Sequence, residues 1–99
     1  MDPRVTRFAE SVRRHFDTRA IFLFGSRARG DHVKDSDYDF IIVSPDFADM
    51  HFLDRIKQVL KRTQSTLAAD VLCYTAEEFE RKKKEIGTVR SAAKDAIPI

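Results

Sequence analysis

The sequence predicts an α/β (α+β) domain, a small sheet with helices packed on it, and three observations carry that reading. Two segments repeat apolar residues at helical spacing, three short runs rich in aromatic and β-branched residues lie beside them, and the two kinds alternate along the chain. With 99 residues, 42% hydrophobic and 10% aromatic, there is material for one compact core but less than two independent domains ordinarily need. A single domain over residues 1–99 is therefore expected.

Val5, Phe8, Ala9, Val12 and Phe16 have the one-sided spacing of an amphipathic helix, and Asp2-Pro3 supplies its N-cap and first-turn chemistry, so a helix is predicted over Pro3–Phe16. Ala20-Ile21-Phe22-Leu23-Phe24 has no helical period and is followed by Gly25, which reads as a strand buried on both faces. The polar stretch Ser26–Ser36 has room for a helical turn or two. Tyr38–Val43 is a second strand, closed by Ser44-Pro45.

Phe52, Leu53, Ile56, Val59 and Leu60 predict a second long helix, with Asp54, Arg55, Lys57, Lys61 and Arg62 on its solvent face. Val71–Tyr74 is a third strand, and Thr75-Ala76-Glu77-Glu78 has the spacing of a capping box that opens another helix. The tail breaks at Gly87, resumes as a short helix through Ala93, and ends in Ala96–Ile99, where Pro98 permits only an edge strand.

Composition narrows the function classes. Eighteen Lys plus Arg against 16 Asp plus Glu leave a net charge of +2, without the strong basic excess of a nucleic-acid binder, so no direct nucleic-acid binding is expected. One cysteine, Cys73, fits a reducing compartment, which makes the cytoplasm the expected location. No apolar run approaches the ~18 residues of a membrane span, and the first residues lack the apolar core of a secretory signal.

The chemistry gathers around residues 25–39. Asp37 and Asp39 are two apart at the start of the second strand, so their side chains share one face with ~6 to 7 Å of rise between them. Beside Phe40, Ile41, Ile42 and Val43, two like charges repel and lose hydration unless a cation neutralises them. Carboxylates completed by nucleotide phosphate oxygens suit magnesium, and two such ions ~4 Å apart clamp a phosphoryl transfer. At the end of the first strand, Gly25 lets backbone approach a ligand, the Ser26 hydroxyl can donate to a phosphate oxygen, and Arg27 and Arg29 bring positive charge to the same turn.

Gly25-Ser26, ten residues, then Asp37-Tyr38-Asp39 resembles the G-S-x10-D-x-D signature of the polymerase-beta-like nucleotidyltransferase superfamily. Gly25-Ser26-Arg27-Ala28-Arg29-Gly30 and Ser36-Asp37-Tyr38-Asp39-Phe40 are similar to its minimal, single-domain branch, and the likeness runs the length of the chain. The resemblance implies a small mixed sheet and a third carboxylate on the next strand, where Asp70 stands. It further implies that Gly25 and Ser26 hold a nucleoside triphosphate, with Arg27 and Arg29 beside it. Asp37, Asp39 and Asp70 would be the catalytic and metal-ligating set for about two Mg2+ ions. In that branch such proteins are often antitoxins paired with an all-helical HEPN ribonuclease toxin, whose tyrosine receives AMP from ATP.

The contrasting reading is a catalytically silent module that neutralises a helical partner by contact. Intact carboxylates argue against it, since a binding surface has no need of crowded like charges. His15, His32 and His51 have no ligand spacing, Arg81–Lys84 reads as a solvated helix face, and Cys73 reads as a small buried hydrophobe.

Overall fold

Strand register decides which face of the sheet each strand residue points to. The computed structural model describes residues 2–32, 34, 36–85 and 87–99. Its elements run α1 (Pro3–His15), β1 (Ala20–Phe24), α2 (Ser26–Arg29), β2 (Tyr38–Val43), a 3-10 turn (Pro45–Phe47), α3 (Phe52–Thr63), β3 (Ala69–Tyr74), α4 (Ala76–Lys84), α5 (Thr88–Ala92) and β4 (Ile97–Pro98). The strands form one sheet in the order β3-β2-β1-β4. β1 pairs antiparallel with β2 and with β4, while β2 pairs parallel with β3. The sheet is mixed, as the sequence led one to expect, and the parallel pair needs the long crossover that α3 provides.

Alternation along β2 divides the core in two. Tyr38, Phe40 and Ile42 face α1 and α3, where Val5, Phe8, Val12, Phe47 and Val59 complete the larger cluster. Ile41 and Val43 face the other way, with Phe24, Tyr74, Val89 and Ala92. The Phe8 and Phe40 rings lie 4.6 Å apart between α1 and the sheet.

Several details depart from expectation. α1 ends at His15 because Phe16 is already extended, turning its ring inward to 5.4 Å from Phe47. β3 begins at Ala69, two residues early, which brings Asp70 inside the strand. The 3-10 turn has Ser44 as its N-cap and carries fully buried Phe47 into the core.

On α3 the expected solvent face is wrong at one residue. Arg55 is only 6% exposed, whereas Phe52, Leu53 and Leu60 of the expected apolar face are 38%, 58% and 40% exposed. The Arg55 guanidinium donates to the Met50 and Cys73 carbonyls and to both carboxylate oxygens of Glu78, at 2.6 and 3.2 Å. That set of acceptors turns the Arg55–Val59 row inward and leaves Leu53 outside. Glu78 also closes the capping box of α4, accepting from the Thr75 amide at 2.8 Å. Cys73 is fully buried, and burial pushes its thiol up to about 12.

Candidate active site

Gly25 ends β1 in a conformation, φ 73° and ψ −156°, that side chains other than glycine rarely adopt. A Cβ there would lie 2.6 Å from Asp39 Oδ2, so the backbone of the turn is pressed against the Asp39 carboxylate. The next four residues, Ser26–Arg29, make one turn of helix whose first bonded amides, those of Ala28 and Arg29, return to the Gly25 carbonyl at 3.1 Å. Gly30 closes it in the left-handed region.

The pairing of β2 with β3 sets Asp39 directly opposite Asp70, and the pairing of β1 with β2 sets it opposite Phe24. Asp37 stands two residues before Asp39, exposed and just outside β2, which begins at Tyr38 rather than at Asp37. The Asp39 carboxyl is raised above the usual carboxylate range, first by desolvation, then by the charges of Asp70 and Asp37, with Arg29 pulling the other way. Four elements thus meet at one spot: the end of β1, the start of α2, the entry to β2 and the second residue of β3.

Tyr38 fixes the orientation of Asp39. Its ring is buried on the α1 side, with the Arg27 guanidinium 4.2 Å and the Arg4 guanidinium 5.6 Å from its centre. Its hydroxyl donates to Asp2 and accepts from Arg4 at 2.9 Å. With Tyr38 held inward, the next residue of β2, Asp39, is held to the opposite face.

The two arginines of the turn are employed differently from each other. Arg27 donates to the Ser36 carbonyl at 2.7 and 3.2 Å and covers Tyr38, so it braces the segment leading into β2. Arg29 is exposed, and it pairs with Asp31 at 3.1 Å and with Asp95 at 3.2 Å. A cavity of about 390 Å³ adjoins the turn, lined by Phe24, Gly25, Arg29, Gly87, Ser91, Ala92 and Asp95. Ser91 and Asp95 had no signal in the sequence, because only the return of the tail onto β1 brings them here.

Among the described residues no three His, Cys, Asp or Glu side chains gather closely enough to hold a metal. Asp37, Asp39 and Asp70 are near enough to share a field without closing into a three-carboxylate cage. The donor chemistry nevertheless fits a hard divalent cation: crowded carboxylate oxygens, one already disfavoured in its charged form, beside a glycine that leaves backbone in reach. Magnesium commonly takes one or two carboxylates and fills its remaining positions with water and phosphate oxygens. Asp39 with one neighbouring carboxylate meets that need.

The chain belongs to the nucleotidyltransferase domain family, whose model matches residues 5–97. Among solved structures, a Sulfolobus solfataricus protein provisionally assigned as a nucleotidyltransferase superposes with a TM-score of 0.69 and 25% identity, over 96% of this chain and 75% of that one. BolA1 and the BolA domain of SufE1, both from Arabidopsis thaliana, share the fold, with TM-scores of 0.62 and 0.61, 17% and 18% identity, and coverage of 79% of this chain and 98% of each of theirs. No curated protein matches the chain. No helix among the described residues is long and apolar enough to cross a membrane.

Proposed function

We propose that the chain is a magnesium-dependent enzyme that transfers AMP from ATP to the tyrosine hydroxyl of a helical HEPN-type protein, and thereby acts as that toxin's antitoxin. The observation that carries the catalytic part is the raised Asp39 carboxyl, pressed against Gly25 and flanked by Asp37 and Asp70. A pure contact module has no use for that arrangement, which costs stability and returns it only on cation binding.

In this reading Asp37 and Asp39 hold the cation, which when bound neutralises charge on the phosphates and the leaving group. Ser26 and the backbone of the Gly25 turn orient the triphosphate, and Arg29 supplies positive charge once its exposed pairs with Asp31 and Asp95 loosen. The acceptor oxygen forms a bond to the α-phosphorus as the bond between the α-phosphorus and its bridging oxygen breaks, and pyrophosphate departs. Asp70 receives the acceptor proton. The reading takes residues 1–99 as one domain in the cytoplasm, with its acceptor presented from outside.

The test is transfer of labelled AMP from ATP to a co-purified helical partner, alongside titration of magnesium with a non-hydrolysable ATP analogue. Asp39→Asn should remove most divalent-dependent nucleotide binding, whereas Asp70→Asn should keep binding and lose ~10² to 10⁴-fold in rate. If wild type transfers no label while binding that partner tightly, the silent module is the better description.

A further inference from the structure

A cleft of about 790 Å³ is lined by none of Gly25, Ser26, Asp37, Asp39 and Asp70. One wall is α1, where Arg4, Arg7, Ser11 and Arg14 fall at i, i+3, i+7 and i+10, a stripe about 15 Å long at 1.5 Å per residue. The facing wall is the segment 63–68, with the hydroxyls and amide of Thr63–Thr66. Between the walls stand Ser36 and Tyr38. The Ser36 hydroxyl oxygen is shielded from solvent and has no hydrogen-bond partner among the described residues.

The cleft's charge is partly uncommitted. Arg4 is tied to Asp2 and Tyr38, but among the described residues neither Arg7 nor Arg14 has a carboxylate partner, although Arg19, Arg29 and Arg55 each do. Position matters equally. Ser36 and Tyr38 alternate along one strand entry with Asp37 and Asp39, and Ala68, also in the cleft, lies two residues before Asp70. A chain seated here therefore lies at the start of β2, on whose other face Asp39 stands.

We propose that this cleft seats an acidic segment of the protein acceptor, whose carboxylates meet Arg7 and Arg14, and steers the acceptor hydroxyl around the start of β2 toward Asp37. The proposal rests on the reading that the acceptor is a protein. Guanidinium groups bind carboxylates through paired hydrogen bonds, and the hydroxyls of the facing wall suit a peptide backbone. Nucleic acid fits less well. The Tyr38 ring is already covered by Arg27 and Arg4, so the cleft offers no free aromatic face on which a base could stack.

The probe is a fluorescein-labelled peptide of alternating Glu and Tyr, measured by anisotropy against wild type, the double variant Arg7→Glu/Arg14→Glu, and a control, Arg81→Glu/Lys82→Glu, on α4. All four substituted side chains are exposed, and thermal melts check the fold. The cleft variant should weaken peptide binding by about tenfold or more, the control by less than about twofold, and added salt should erode the difference. Equal loss in both variants, or no loss in the cleft variant, overturns the proposal. So does a short oligouridylate that binds wild type more tightly than the peptide and is lost with the same double variant. Magnesium and the ATP analogue are titrated on the same preparations. Failure of wild type to bind nucleotide sinks the transfer reading while a cleft-dependent peptide still supports docking, and intact nucleotide binding with an indifferent peptide rejects docking alone.

Discussion

A single methyl group at position 25 is enough to disturb the site. Gly25→Ala would place Cβ 2.6 Å from Asp39 Oδ2 at a φ of +73°, so the carboxylate or the turn must move. Backbone strain of this kind costs on the order of 1 to 3 kcal/mol, and we expect a lower melting temperature together with loss of ATP-analogue binding. Unchanged binding in Gly25→Ala would mean that the turn does not receive phosphate. The glycine and the two aspartates were legible in the sequence because their spacing along the chain is itself the signal. Side-chain direction was not. Arg27 and Arg29 look equivalent as charges in a row, yet one braces Ser36 and Tyr38 while the other reaches Asp95, which is 66 residues away.

At the scale of elements, the pair Arg55–Glu78 ties α3 to β3 and α4 and makes a pH-dependent contribution to stability. Bonding to Arg55, and secondarily the Thr75 amide, lowers the Glu78 carboxyl from 4.5 to about 2. A carboxyl depressed in the folded state stabilises fully above its unfolded value, and that contribution fades as pH falls from about 4.5 toward about 2. Its size is on the order of 3 kcal/mol, since one pKa unit corresponds to about 1.4 kcal/mol. Thermal melts from pH 7 to pH 2 should therefore show wild type losing stability across that window, and Glu78→Gln starting lower and changing less. Parallel curves would deny the pair its role. The capping box that uses Glu78 was legible, being a local four-residue pattern. The burial of Arg55 was not, because amphipathic spacing assigns charged residues outward, and only the acceptors on three other segments reverse that.

Across the whole molecule, the sheet's two edges are treated differently. β3 lies at one edge, where Arg55 covers the Cys73 carbonyl. At the other, β1 is protected by a short tail: Ile97 pairs with Leu23, Pro98 with Phe22, and the Ile99 amide donates to the Ile21 carbonyl at 2.9 Å. The sequence disclosed an edge strand through Pro98, and it disclosed the strand and helix order, since both are local. It could not disclose that the tail returns to β1, which in turn sets α5 and Asp95 beside Gly25. Removing residues 97–99 tests that link. Each lost backbone hydrogen bond is worth ~0.5 to 1.5 kcal/mol, and a domain of this size loses about 4 to 8 °C of melting temperature per kcal/mol. The truncated protein should melt several degrees lower and associate with rising concentration, because β1 is left as an open edge. Sedimentation and melting at two concentrations measure both effects, and a truncated protein that stays monomeric and melts with wild type would show that the tail strand contributes nothing to the sheet.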